Sequence, residues 1–177
     1  ETRTQGLDFV ANYRNLAVGQ GRLGINLAGN YNLNNEIVGN PQDPAPIASS
    51  GATILNRQVK SLLTEGRPKY KAILGLDYGL DKLNIVLNNT LFGPTAFQDL
   101  DNGGAVMNNI KQKFSPAVVT DLNIGYNFTK SFSASFTINN LFNVLPKWKL
   151  EAVVNPDDAP ADQETNKAAA QALLDDP

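Results

Sequence analysis

The chain has 177 residues, 42% of them hydrophobic and 18% charged, which suits one ordinary domain and excludes a disordered polyampholyte. Its 15 Lys and Arg against 17 Asp and Glu leave a net charge of −2, so there is no electrostatic footprint for a nucleic-acid partner or a polybasic membrane anchor. Cys and His are both absent, which removes thiolate and imidazole metal sites, Cys nucleophiles, His-based triads and disulfides, and no metal or cofactor is expected. No apolar run reaches transmembrane-helix length, and the N-terminus lacks the pattern of a signal peptide. Opening on Glu1 rather than Met, the chain reads as an interior piece of a longer protein.

Apolar residues recur with period two. A first strand near 4–15 sets Leu7, Phe9, Ala11 and Tyr13 against Asp8, Asn12 and Arg14, with Val10 an exception. A second near 22–33 sets Leu23, Ile25, Leu27, Tyr31 and Leu33 against Arg22, Asn26, Asn30 and Asn32. A third near 69–80 carries Tyr70, Ala72, Leu74, Leu76, Tyr78 and Leu80 against Lys71, Gly75, Asp77 and Gly79, with Ile73 an exception. The fourth, near 83–92, sets Leu83, Ile85, Leu87 and Leu91 against Asn84, Asn88 and Thr90. In the fifth, near 118–128, Val118, Leu122, Ile124, Tyr126 and Phe128 oppose Asp121, Asn123, Gly125 and Asn127. The sixth, near 132–142, sets Phe132, Ala134, Phe136, Ile138 and Phe142 against Ser133, Ser135, Thr137 and Asn139. No charged residue falls on any apolar face.

Short and long connections alternate. Asn15 to Gly21, Asp81-Lys82 and Thr129-Lys130-Ser131 are short, whereas 34–68 and 93–117 are long and rich in Pro, Gly, Asn and Asp. The pattern predicts an all-β, antiparallel, up-and-down meander of about six long strands, the form of a transmembrane β-barrel segment with turns on one side and loops on the other. Strands of about ten residues match a tilted bilayer crossing better than the usual soluble strand of about five or six. Tyr13, Tyr78, Tyr126, Phe128 and Phe132 fall at the short-turn end and Tyr31, Tyr70 and Phe142 at the other, as two interfacial belts would. The polar face, dominated by Asn, Ser, Thr and Gly, suits a hydrated lumen.

The residues also resemble a known family. Thr120-Asp121-Leu122-Asn123-Ile124-Gly125-Tyr126-Asn127-Phe128, then a short turn, then Asn139-Asn140-Leu141-Phe142-Asn143-Val144, is similar to the end of a TonB-dependent receptor barrel, and "NNLFNV" is the specific part. The opening Glu1-Thr2-Arg3-Thr4-Gln5-Gly6-Leu7-Asp8 resembles that family's "ExxTxGxD" strand start. The Asn-rich strands with long Asn/Asp/Pro loops are similar in style to receptors of Bacteroidetes. The resemblance covers residues 1 to about 148 and implies a Gram-negative outer-membrane transporter with a barrel of about 22 strands and an N-terminal plug. It further implies import of a scarce nutrient such as a ferric siderophore, with outer-membrane lipid, a small nutrient ligand and the TonB complex as partners, the last through N-terminal parts not in this chain. By family order the six strands are those before the last, and the motif Asn139, Asn140, Leu141, Phe142, Asn143 lies in the next-to-last strand of the barrel. Six strands cannot close a wall, so the chain alone is not expected to transport. In water its sheet is expected to curl, fold over or oligomerise.

Residues 1–148 thus read as barrel segment, and 149–177 as an acidic loop with a short helix from Gln163 to Leu174, which Asp162 could cap and Ala169, Leu173 and Leu174 could pack. In the family's layout this is the last extracellular loop.

Candidate ligand contacts are Arg57, Arg67 and Gln98 on the long loops, with Arg22, Asp77 and Asp121 on the lumen face. An anionic ligand favours the Arg positions through charge-assisted hydrogen bonds. Other motif-like strings lack their context. Gly19-Gln20-Gly21-Arg22-Leu23-Gly24 fits G-x-G-x-x-G but opens no helix. Asp99, Asp101, Asn102 and Gly103 start like a calcium loop without its closing Glu. The sequons at Asn88 and Asn127 lie inside strands. Asp8, Asp77 and Asp121 sit on separate strands, unlike a glycosidase pair. Barrel phospholipases and proteases rely on His, which is missing, so no enzyme is expected. A soluble all-β binding or adhesion domain is the alternative.

Overall fold

Alternation commits each segment to extended backbone with two unlike faces. The computed structural model describes residues 2–39, 44–49, 54–98, 107–155 and 158–175. Its elements in chain order are β1 (Thr2–Val18), β2 (Gly21–Ile37), α1 (Ala45–Ala48), α2 (Arg57–Thr64), β3 (Tyr70–Leu80), β4 (Leu83–Phe92), β5 (Thr95–Phe97), a 3-10 turn (Met107–Asn109), β6 (Ile110–Phe114), β7 (Ala117–Asn127), β8 (Ser133–Ile138), β9 (Trp148–Ala152) and α3 (Gln163–Asp175). β1-β2-β3-β4-β7-β8 form one six-stranded sheet in that order, every pair antiparallel, and β5-β6-β9 form a second, smaller sheet. The large sheet is the expected meander, and it remains an open wall.

Tight turns set its register. Leu80 faces Leu83 across the two-residue loop Asp81-Lys82, where Asp81 takes φ 48°. Val18 faces Gly21 across Gly19-Gln20, and the Tyr78 ring lies so close over Gly21 that a Cβ there would come within 2.4 Å of Cζ. Two boundaries differ from the alternation. Tyr13 pairs Ile25 but Leu16 pairs Leu23, so a bulge at Arg14 and Asn15 shifts the apolar phase from odd to even residues and carries β1 on to Val18. At the other end β8 stops at Ile138, and the Asn139-Asn140-Leu141-Phe142-Asn143 motif is a turn rather than the last part of a strand. Asn140 and Asn143 adopt φ 51° and 50°, which breaks the ladder. The Leu141 N–H still donates to the Thr120 carbonyl at 2.7 Å, and Asn140 brackets the Val144 backbone through both ends of its amide.

Register gathers the apolar residues into rows. Tyr13, Ile25, Leu76, Leu87, Leu122 and Ile138 stand abreast across the wall, and Leu16, Leu23, Tyr78, Ile85, Ile124 and Phe136 form the neighbouring row. Tyr31 faces Tyr70 directly at the long-connection end. At the opposite end Tyr126, Phe128 and Phe132 form a chain of ring contacts, the first edge-to-face and the second tilted, with centroids 4.9 and 5.4 Å apart. From Tyr70 to Tyr78 the strand spans about 27 Å, or about 20 Å along the normal at a tilt near 40°, close to the apolar band of an outer-membrane barrel. One polar pair interrupts this face: Thr120 Oγ1 donates to Asn89 Oδ1 at 2.8 Å, and Thr120 is only 3% exposed.

Burial is inverted relative to a water-soluble domain. Among the described residues the buried apolar side chains are all alanines, Ala96, Ala152 and Ala170, while Ser61, Gln98, Asn109, Thr120 and Asn155 are buried polar ones. Phe9, Tyr13, Tyr31 and Phe132 remain open, and Phe136 is 64% exposed. The sheet does not fold over its apolar face.

The long connections are not plain loops. β5 is tied to α2 by the Ala96 N–H donating to the Glu65 carbonyl and the Gln98 N–H donating to Ser61 Oγ, both at 3.0 Å. Asn56 caps α2 by accepting from the Val59 N–H. Trp148 to Ala152, expected in the barrel segment or in loop, completes the small sheet against β6. α3 packs on β9 and the 3-10 turn. Ala170 is its buried residue, whereas Ala169 and Leu173 point to solvent. Its first turn is held by Asp158, whose carboxylate accepts from Asn166 Nδ2 and Asn155 Nδ2, and not by an Asp162 side-chain cap; Asp162 supplies only its carbonyl to the Asn166 N–H.

Candidate ligand-side cavities and lumen wall

The sheet's second face is polar because every alternate residue is Asn, Asp, Gly, Thr or Lys at most positions. Asn12, Asn26, Gly75, Asn88 and Asp121 stand abreast in the middle of it. Asn30 Nδ2 donates to Asp8 Oδ1 at 2.6 Å, and Asn123 Nδ2 donates to Thr137 Oγ1 at 2.7 Å. The two exceptions to alternation, Val10 and Ile73, share one row with Ala28, Thr90 and Val119. They are thus an apolar stripe on the polar face rather than isolated lapses.

The six candidate residues separate into four places. Arg22 and Asp77 line one cavity of about 400 Å3 on the polar face, together with Arg14 and Asn26. Asp77 Oδ1 accepts from Asn84 Nδ2 at 2.6 Å. Arg57 and Gln98 meet at the Asn108 carbonyl, which accepts from Arg57 Nη1 at 2.6 Å and from Gln98 Nε2 at 2.5 Å. Gln98 is 5% exposed, so this pair holds the loop layer together from within. Asp121 is spoken for by the turn after β8: its Oδ1 accepts from the Asn140 N–H at 2.8 Å. Arg67, apart from the other five, lines a cavity of about 590 Å3 in the layer built by the long connections. The calcium-like string Asp99, Asp101, Asn102 and Gly103 lies outside the described residues.

Three further cations converge on the cavity of Arg67. Lys69 follows α2, and Lys113 and Lys149 face one another across β6 and β9. Glu151 Oε1 accepts from Lys113 Nζ at 2.7 Å and Oε2 pairs Lys149 Nζ at 3.2 Å, which holds the Glu151 carboxyl below its ordinary range. Glu65 at the rim is taken by Lys111 at 2.8 Å. Among the described residues Arg67 and Lys69 have no ion-pair partner, so the cavity carries a net positive field. The signal for Lys113 and Lys149 was present in sequence as short alternations, Lys111-Gln112-Lys113-Phe114 and Trp148-Lys149-Leu150-Glu151, too brief to stand out from loop.

The arrangement thus combines hydrogen-bonding side chains on one face of the sheet, a cationic cavity at the long-connection end, and apolar side chains on the other face. Among the described residues there is no cluster of acidic side chains that could hold a metal. A family model described as "TonB dependent receptor-like, beta-barrel" matches residues 1–141, ending inside the turn that follows β8. No curated protein matches the chain. No solved structure matches it. With the match covering most of the sequence, the chain belongs to the TonB-dependent receptor-like β-barrel family, a family of outer-membrane transport receptors rather than of enzymes.

Proposed function

We propose that this chain supplies wall and extracellular loop layer to a Gram-negative outer-membrane receptor that imports a scarce nutrient bound as an anion, a ferric siderophore being the leading case. The inverted burial carries the reading: large apolar side chains lie open on one face while polar ones fill the interior of the loop layer. Such a face belongs against lipid, and a soluble adhesion domain of this size would bury it. The long connections then lie outside the cell, and the short turns Gly19-Gln20 and Asp81-Lys82 lie on the periplasmic side.

In this reading Arg67 receives the ligand together with Lys69, Lys113 and Lys149, Arg22 and Asp77 line the lumen below, and Arg57 and Gln98 keep the loop layer in shape. Asp121 holds the end of the wall. The energy for import comes through TonB, acting on parts of the receptor outside this chain, and the chain performs no bond-breaking step itself.

The experiment is uptake of radiolabelled ferric chelates by cells expressing the full-length receptor, with and without TonB. Accumulation that requires both the receptor and TonB, and that falls in an Arg67→Ala, Lys69→Ala variant of unchanged abundance, is expected. Accumulation that ignores TonB removes the transport reading.

A further inference from the structure

The cationic cavity is not solitary. A second cavity of about 410 Å3 adjoins it and shares three lining residues with it, Thr95, Phe114 and Ser115. Its own lining is apolar: Phe92, Phe114, Val119, Val144, Leu145 and Pro146. Phe92 and Val119 belong to the polar-face rows of β4 and β7, so this chamber opens on the lumen side and the sheet itself separates it from the face turned to lipid. The turn after β8 makes it possible. By ending the strand at Ile138, the motif swings Val144, Leu145 and Pro146 over the lumen side of β7 instead of extending the wall. Lys71 Nζ stands 5.1 Å from the Phe92 ring centroid, which fixes that ring from the neighbouring strand.

Two adjoining chambers, one ringed by cations and the other without a charged lining residue, make one bipartite site. Each lies within the size range of small-molecule pockets. A purely hydrophilic anion would fill the cationic half and leave the apolar half wet, and a neutral apolar molecule would leave Arg67 and Lys69 facing water. We infer that the two cavities together select an amphiphilic organic anion, its acidic head among Arg67, Lys69, Lys113 and Lys149 and its aryl or other compact apolar part against Phe92, Phe114 and Leu145. The inference rests on the transport reading for the placement of the loops outside the cell, and adds to it the class of ligand. The ligand is a free organic anion rather than a membrane lipid, because the chamber is walled off from the bilayer by β4 and β7 and is too small for paired acyl chains.

The test uses the full-length receptor in amphipol and three probes followed by calorimetry: naphthalene-2-sulfonate, methanesulfonate as the head alone, and 2-naphthalenemethanol as the ring alone. Naphthalene-2-sulfonate binds at least about ten-fold more tightly than either control, each half being worth no less than one charge-assisted hydrogen bond or one buried ring. Arg67→Ala with Lys69→Ala lowers sulfonate affinity by about the same factor and leaves 2-naphthalenemethanol unchanged, and Phe114→Leu weakens both ring-bearing probes. Phe114→Leu stands in for the harsher alanine change, and heat-modifiable electrophoretic migration checks that each barrel is folded. Methanesulfonate binding as tightly as naphthalene-2-sulfonate overturns the proposal, as does naphthalene-2-sulfonate binding that neither set of changes alters. Displacement of the probe by equimolar short-chain phosphatidylglycerol overturns it in favour of a lipid site. A receptor that carries out TonB-dependent uptake but fails these binding tests loses the bipartite site and keeps transport. One that binds the probes but shows no such uptake keeps the site and loses transport.

Discussion

The backbone N–H of Asn140 donates to Oδ1 of Asp121 at 2.8 Å, and this bond stands where β8 leaves the sheet. Asp121 sits in the polar-face row, one residue beyond the last ladder pair of Leu122 with Ile138, so its carboxylate replaces a missing backbone acceptor. Asp121→Ala is expected to cost about 1.5–3 kcal/mol, the worth of a hydrogen bond to a charged group. Equilibrium unfolding of the full-length barrel in lipid measures it. A change within error of zero means that the turn is held by the Leu141 to Thr120 and Asn140 to Val144 bonds alone.

Leu87 and Asn88 are neighbours on β4 that point to opposite faces, which makes them a paired probe of where lipid lies. Leu87→Arg should cost about 2–4 kcal/mol in a phospholipid bilayer because it places a cation mid-wall against hydrocarbon. Asn88→Arg should be nearly neutral, since a hydrated lumen receives it. The comparison is read from folding equilibria of the full-length protein into vesicles. Equal costs at the two positions would mean that the apolar face does not meet lipid.

How much of this was legible in sequence depended on strand length. Six long alternations, their order and the short turns could be read directly, because eight or more residues of period two outweigh any accidental run. The alternation of β1 breaks at 15, since the bulge at Arg14 and Asn15 inverts the phase and sets Leu16 and Val18 out of step. β5, β6 and β9 have three or five residues each and gain their identity only from pairing with one another across distant sequence, which no local pattern records. The cationic cavity is hidden from sequence for the same reason: Arg67 stands out as a loop cation, but Lys113 and Lys149 become its neighbours only once β6 and β9 align. That Arg57 and Gln98 meet at the Asn108 carbonyl is likewise invisible in composition, which places both on long connections and says nothing of their partners.

Gly29 on β2 faces Phe9 on β1, and a Cβ built at Gly29 would lie 2.3 Å from Cζ of that ring. The aromatic thus covers the glycine within the wall. Gly29→Ala is expected to destabilise the barrel by about 1–3 kcal/mol through overpacking. The ring is a movable side chain, so Phe9→Ala in the same protein should recover most of that loss. A double-mutant cycle reads the coupling, and additive effects would show that ring and glycine do not touch in the folded receptor.

Glu151 links Lys113 and Lys149 across the two strands of the loop layer, and both cations hold its carboxyl below the ordinary value. A carboxylate with a depressed folded-state pKa contributes stability that is full above the unfolded value of about 4.3 and is lost as pH falls through the folded one. From pH 7 down to about 5 the β6–β9 pairing should therefore be insensitive to pH, and it should loosen on further acidification. Glu151→Gln should remove that acid sensitivity while leaving the pairing weaker at neutral pH, where the two lysines then repel across the strands. Hydrogen exchange of residues 148–152 in the full-length receptor between pH 7 and pH 3, corrected for the intrinsic rate, follows the effect. A wild-type acid profile identical to that of the Gln variant would show that the ion pairs do not hold the two strands together.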